Sequence, residues 1–151
     1  MLMLALSGIY LCLQRLNAIG KKLSVVRGLC ALMRYTKAQV ENYSMPCGEI
    51  LRRCPRDILL LCGYEKDEPP KDFLELYSVL CIEDAEAKRI FFDFVSDMGG
   101  SYRAEQVRRC EEFLNLLGER ERYIASRQPL EKKLTVTFSV SLVLAVLILA
   151  L

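Results

Sequence analysis

Apolar residues in the first third of the chain recur at alternating steps of three and four. That spacing places them on one face of a helix and is typical of a seam between two long helices. It predicts one helix that continues to about Asn42, where the stretch NYSMP ends it, Ser44 caps a new helix and Pro46 enters it. The members of the seam are Leu16, Ile19, Leu23, Val26, Cys30, Met33 and Val40.

Four further helices are predicted after this short second one. Pro55 opens another short helix that Gly63 ends, and an acidic, proline-containing loop, YEKDEPP, follows it. Two amphipathic helices come next, and Ser101 caps the last and longest helix, in which Pro129 is expected to cause a kink or hinge. The second amphipathic helix carries its aromatic residues so densely that they are predicted to lie in the core. These core candidates are Phe91, Phe92, Phe94 and Val95.

The last eighteen residues, 134–151, contain no charged side chain. As a helix they extend about 27 Å, close to the ~30 Å hydrocarbon core of a bilayer. A buried core helix is the alternative, but such a helix usually shows a polar edge or a C-terminal stop signal. We therefore predict a C-terminal transmembrane helix at 134–151.

The first thirteen residues are also uncharged, although this length is short for a membrane span. The span becomes long enough if Gln14 and Arg15 lie at the interface and the arginine extends its charge towards water. A cleaved signal peptide is the rival interpretation, but such peptides carry positive charge before the apolar region, and here nothing basic precedes Arg15. We predict an uncleaved N-terminal membrane anchor at 1–19.

Basic residues flank both apolar ends on their inner sides, and the middle of the chain is acidic. The positive-inside rule then predicts a cytoplasmic helical bundle domain at 20–133, with both termini on the far side of the membrane. The predicted fold class is all-α, an antiparallel helical bundle, because both long helices return to the same membrane face. They are expected to pair through Leu16, Ile19, Leu23, Val26 and Cys30 against Leu114, Leu117 and Ile124.

The candidate chemistry of this chain is sparse. None of the seven cysteines forms a C-x-x-C pair, so reduced core thiols are predicted rather than a metal site. The absence of histidine removes the commonest general base and the usual non-thiolate zinc ligand. No phosphate-binding glycine loop, nucleophile elbow or nucleic-acid platform occurs. We predict a non-enzyme with no cofactor, no metal, no small-molecule substrate and no nucleic-acid partner, since a membrane-bound cysteine hydrolase requires an unusual base.

The order of these features resembles the stage III sporulation protein AB family of endospore-forming bacteria. The cytoplasmic domain of that family is similar to the F-type platform domain of type II secretion and pilus systems. The clearest stretch begins at FVSDMGGSYRAEQ and continues into the terminal apolar segment. It looks like the family pattern of phenylalanine, then leucine-glycine, then glutamine. Phe94, Met98, Gly99 and Gln106 occupy those places.

The N-terminal half agrees with the family more loosely. The family tends to carry threonine-proline-leucine before a helix with a glutamate, whereas Met45 and Cys47 flank the proline here. A second departure is Tyr102, where relatives usually have an aspartate. The positions that do agree are Pro46, Glu49 and Leu51.

The resemblance implies a component of the channel between mother cell and forespore. Such a protein is anchored in the outer forespore membrane, and its helical domain faces the mother-cell cytoplasm. Its implied partners are the lipid bilayer, the secretion-type ATPase of the sporulation channel and other channel components. The alternative is a membrane scaffold or platform protein of another secretion or pilus-like assembly, and gene neighbours distinguish the two.

A docking surface for the partner is predicted at the membrane-distal end, because lipid occupies the proximal end. The last helix begins there, and its free N–H groups and positive dipole end favour an acidic partner group. An internal bracing role for the glutamine is the alternative, and the acidic loop at 65–72 is the next candidate. The predicted contacts are Gly99, Gly100, Tyr102, Arg103 and Gln106.

Overall fold

The computed structural model describes residues 2–98 and 103–148, and these residues form helices and no strand. The prediction of an all-helical fold is therefore confirmed for this part of the chain. In chain order the helices are α1 (Leu2–Tyr43), α2 (Cys47–Arg52), α3 (Arg56–Leu61), α4 (Phe73–Val79), α5 (Ala85–Asp97) and α6 (Arg103–Ile148).

The chain divides into two compact units. Unit 1 contains the two ends of the chain, Met1–Leu23 and Tyr123–Leu151, and unit 2 contains Ser24–Arg122. Unit 1 thus holds the first part of α1 and the last part of α6. Unit 2 holds the remainder of both long helices together with the four shorter ones.

Within unit 2, α1 and α6 pair in antiparallel orientation. Arg27 of α1 forms an ion pair with Glu121 at 3.0 Å, and Lys37, ten residues later, forms one with Glu111 at 2.6 Å. Residue numbers therefore fall along α6 as they rise along α1. The predicted pairing of the first and last long helices is confirmed in this unit.

The burial of the predicted seam differs between its two ends. Its later members are enclosed, whereas Leu16 and Ile19 are only half-buried, because the early part of α1 has fewer neighbouring elements. On α6, Leu114 is also half-buried. The buried members are Leu23, Val26, Cys30, Met33 and Val40 on α1, and Leu117 and Ile124 on α6.

An aromatic cluster forms the centre of unit 2. Phe91 and Phe94 of α5 are fully buried, and the Phe94 ring lies 5.3 Å from Phe73 of α4 and 5.6 Å from Phe113 of α6, both edge to face. Aromatic pairs in this geometry stabilise a core beyond the area they bury. Phe92 lies at the edge of this cluster. It is 46% exposed, and its ring lies 5.4 Å from that of Tyr77 in α4.

The short helices are bounded largely as their sequences predict. Gly63 has a positive φ of 90°, and its amide and that of Tyr64 donate to the carbonyls of Leu60 and Leu59 in a Schellman C-terminus. The predicted cap at Ser44 is wrong. Ser44 takes a left-handed φ of 49° after α1, and Pro46 occupies the N-cap position of α2.

The predictions for the terminal segments concern Pro129 and the two membrane anchors. Pro129 lies inside α6, which continues to Ile148, and the kink or hinge predicted at this proline stays a prediction. Among residues 2–98 and 103–148, no helix contains a stretch that is long and apolar enough to cross a membrane. The predicted anchors at 1–19 and 134–151 extend past these limits, since residues 1 and 149–151 lie outside the described ranges, and both anchors stay predictions.

Helix α1 approaches the end of α3 so closely at Gly28 that no side chain fits. A Cβ at this position lies 2.5 Å from the Cys62 backbone nitrogen and 2.5 Å from the Leu61 carbonyl carbon. Both of these atoms belong to the backbone and cannot rotate away. The close approach therefore depends on glycine, in contrast to Gly118 of α6, where an added Cβ meets nothing within 4 Å.

We predict opposite effects of alanine at these two helical glycines. Gly28→Ala forces α1 and α3 apart and should lower the free energy of unfolding by roughly 2–3 kcal/mol. Gly118→Ala should raise it by about 0.5–1 kcal/mol, because alanine favours the helix and no contact is disturbed. Thermal unfolding followed by circular dichroism measures both. Equal melting temperatures for the two variants contradict the close packing of α1 on α3.

Candidate functional site

Arg103 stands at the start of α6 and is exposed, as the predicted docking surface requires. Its guanidinium donates a hydrogen bond to the backbone carbonyl of Glu41, in the last turn of α1. Carbonyls in a last turn have no partner within their own helix, and a cation there also interacts favourably with the helix dipole. Arg103 therefore caps the C-terminus of α1. The other predicted contacts Gly99, Gly100 and Tyr102 lie outside the described residues.

Gln106 is half-buried one turn further along α6, and its neighbours form an ordered network of charges. Hydrogen bonds from Arg108, and then from Arg109, lower the pKa of Glu105 to about 2. Arg109 also forms an ion pair with Asp97 at the end of α5, at 3.2 Å. The beginning of α6 thus offers a polar surface whose arginines already have partners within the protein.

A buried ion pair ties α5 to α6 further along. The Asp84 carboxylate is 2% exposed and accepts two hydrogen bonds from Arg120, from Nε and Nη2, each of 2.8 Å. It also accepts one from the Ala87 amide, at 2.9 Å, as the N-cap of α5. Because removing one member of such a pair leaves a buried charge unpaired, this contact has a structural role.

A small cleft, of about 170 Å³, opens between the turn after α2 and the loop after α3. Sequence reasoning considered this loop only as an acidic surface and missed the cleft. The guanidinium of Arg56 holds the loop, since Nη2 contacts Asp67 Oδ1 at 2.6 Å, and the Tyr64 hydroxyl donates to the Glu68 carbonyl at 2.8 Å. Residues that line the cleft include Arg52, Cys54, Arg56, Tyr64, Lys66 and Asp67. The basic run RRCPR, which precedes the acidic loop, is the sequence signal that indicates it.

The buried cysteines are poor nucleophiles. Burial, reinforced by Glu121, raises the pKa of the Cys30 thiol to about 11, and burial raises that of Cys110 to about 11 and that of Cys54 to about 12. The pKa of Cys62 is raised further by the same cause. Since the thiolate is the reactive species, these groups remain protonated and unreactive near neutral pH. Within the described ranges, no group of three or more potential ligands could hold a metal ion.

Unit 1 and unit 2 differ in charge and in exposed apolar surface. Unit 1 contains six basic residues and one acidic residue, whereas unit 2 contains fifteen basic and eighteen acidic residues. Large apolar side chains on the last part of α6 are exposed, with Phe138 at 72% and Ile148 at 71%. Further exposed members are Leu134, Val136, Val140, Leu142 and Leu144. Exposed large apolar side chains in such number mark an interaction site.

Comparison of the chain with protein-family models, with curated proteins and with solved structures finds no match. The resemblance to the sporulation family consequently depends on the sequence motifs quoted above.

We predict that the buried thiols resist modification in the folded protein. Near neutral pH an excess of iodoacetamide should alkylate the exposed Cys81 and leave Cys30, Cys54 and Cys110 unmodified until denaturant is added, because burial keeps these thiols protonated. Mass spectrometry of tryptic peptides measures the extent at each site. Rapid alkylation of one of these three in the folded state contradicts the prediction and supports a catalytic thiol.

Proposed function

We propose that this chain is a non-enzymatic, membrane-anchored component of the sporulation channel between mother cell and forespore. In this proposal unit 2 is an F-type platform-like helical domain that faces the mother-cell cytoplasm. It docks the secretion-type ATPase and other channel proteins. The observation that carries the proposal is the exposed apolar surface at the end of α6, together with the basic character of unit 1.

The apolar surface supports a membrane anchor for a simple physical reason. Exposed leucine, valine and phenylalanine side chains cost free energy in water and gain it in hydrocarbon, at about 25 cal/mol per Å² of apolar surface. Phe138 and Leu142 lie one turn apart, and Val136 and Val140 are exposed on other faces of the same helix. A helix that is apolar on all sides is stable only where its surroundings are apolar.

The basic residues of unit 1 also support a membrane environment. Arg127, Lys132 and Lys133 precede the apolar surface in α6, and Glu131 is the single acidic residue of the unit. Cations beside a transmembrane segment interact with anionic lipid headgroups and orient the segment in the membrane. The acidic excess of unit 2 suits the opposite location, away from anionic lipid.

The docking surface that we propose is the beginning of α6, with Gly99, Gly100, Tyr102, Arg103 and Gln106 as its contacts. Arg103 is exposed although it caps α1, so its remaining N–H groups can bind a partner carboxylate. The charge network around Glu105 and Arg109 orders the neighbouring side chains before binding. Ordered groups lose less conformational entropy when a partner binds.

We predict that charges on the apolar surface release the protein from membranes. In Phe138→Lys/Leu142→Lys each charge costs about 2.5–3.5 kcal/mol at the centre of a span, so the protein should move from the membrane pellet to the supernatant of lysed cells. The matched control is Leu74→Lys/Leu116→Lys, which replaces two exposed leucines of unit 2 and should leave the distribution unchanged. Recovery of the unmodified chain in the supernatant refutes the anchor.

We predict further that Arg103→Ala/Gln106→Ala loses the partner. In-cell crosslinking during sporulation should recover about tenfold less ATPase with this variant than with the unmodified chain. Its melting temperature should fall by a few degrees, because the Glu41 carbonyl loses a hydrogen bond that contributes about 1 kcal/mol. Asn115→Ala/Arg122→Ala, which changes two exposed residues of the same helix, is the control for charge and size.

Two outcomes of crosslinking and thermal unfolding separate the alternatives. A lower melting temperature with full partner recovery assigns only a bracing role to Arg103 and Gln106. The loop at 65–72 then becomes the next docking candidate. Recovery of a secretion or pilus ATPase unrelated to sporulation favours the alternative assembly.

A further inference from the structure

We propose that the cleft between α2 and the loop after α3 binds a carboxylate group of an acidic protein segment. This site is separate from the docking surface at the start of α6, and it does not depend on the membrane anchor. Three cationic side chains, Arg52, Arg56 and Lys66, line it and come from two stretches of chain. Cationic side chains form strong, charge-assisted hydrogen bonds to a carboxylate.

The charges in the cleft do not cancel. Arg56 forms an ion pair with Asp67, but no acidic residue of the described ranges forms an ion pair with Arg52 or Lys66. Asp67 is the only acidic side chain in the lining. The cleft therefore retains a net positive charge that an additional anion can neutralise.

The floor of the cleft is buried and carries no charge. Leu59 and Tyr64 are buried there, and the Tyr64 hydroxyl already donates to the backbone of the loop. Burial raises the pKa of the Cys54 thiol to about 12, so this group carries no negative charge that repels a ligand. The floor therefore adds no charge that opposes an anion, while the three cations are exposed and accessible to a ligand.

Asp67 indicates which anion the site accepts. Its carboxylate contacts Arg56 at 2.6 Å although the side chain is 94% exposed, so one cation of the cleft already pairs with a carboxylate at the protein surface. Exposed ion pairs of this kind contribute little to stability. A carboxylate from a partner, placed between all three cations, can therefore displace Asp67 from Arg56.

The size of the cleft limits the ligand to a small group. Its volume of about 170 Å³ is below the range of about 300–1,000 Å³ that holds drug-sized ligands and cofactors. An aspartate or glutamate side chain fits this space, and the remainder of its segment lies outside. In this proposal unit 2 therefore has a second binding site, which takes an acidic segment of a partner protein.

The experiment measures fluorescence anisotropy of a fluorescein-labelled hexaglutamate peptide, with the full chain in zwitterionic detergent micelles. Arg52→Ala/Lys66→Ala should weaken binding by at least about tenfold, because two charge-assisted contacts with the peptide are lost. Asp67→Asn frees Arg56 from its competitor and should tighten binding by roughly threefold, consistent with the small contribution of an exposed pair.

The matched control is Arg53→Ala/Lys88→Ala, which removes the same charges outside the cleft. Arg53 pairs with Glu49 one helical turn away, and Lys88 is exposed on α5. Equal weakening by the cleft variant and the control shows nonspecific attraction to basic residues and overturns the proposal. Weaker binding after Asp67→Asn also overturns it, and displacement of the peptide by equimolar inorganic phosphate overturns the assignment to a carboxylate. Circular dichroism confirms that each variant keeps its helical content.

Discussion

The buried carboxylate of Asp84 sets the geometry on which unit 2 depends. A charge that is 2% exposed is stable only when its hydrogen bonds are satisfied, and here Arg120 satisfies two and the first turn of α5 satisfies another. These bonds fix where α5 begins and which part of α6 it contacts. Arg109 and Asp97 repeat the connection at the other end of α5. The aromatic cluster lies between these two ion pairs. They set the register of α5 against α6 and thereby the contact of Phe94 with Phe113.

A second constraint, purely steric, positions the small helices. Gly28 allows the backbone of α1 to contact the end of α3, and Gly63 then reverses the chain with a φ of 90°. The reversal directs the following loop back over α3, where Arg56 holds it through Asp67. The cleft thus depends on two glycines, one within α1 and the other in the turn after α3. Its cations come from both sides of that reversal.

Features that depend on the local pattern of residues could be predicted from the sequence. The spacing of Val26, Cys30 and Met33 predicts a buried face because helical periodicity is a property of consecutive residues. The turn at Gly63 is likewise local. The predictions for Phe92 and Ser44 were wrong because tertiary context decides them. Phe92 lies at the edge of the aromatic cluster and stays 46% exposed, and the chain takes a left-handed residue after α1 before Pro46. The cleft was missed for the same reason, since its cations converge only after α3 is folded against α1.

The proposed membrane-binding and partner-binding sites differ in charge. Unit 1 combines six basic residues with an exposed apolar helix end, and these are the two properties that an anionic bilayer attracts. Unit 2 has an acidic excess, yet its start of α6 and its cleft both present arginines. Cations that lie in an otherwise acidic surface select among acidic partners. The surrounding carboxylates repel an acidic chain unless one of its carboxylates forms an ion pair with the arginine itself. Under the proposed function, partner recognition by unit 2 requires geometry and not charge alone, and this requirement would keep a membrane-anchored platform from binding every acidic protein near it.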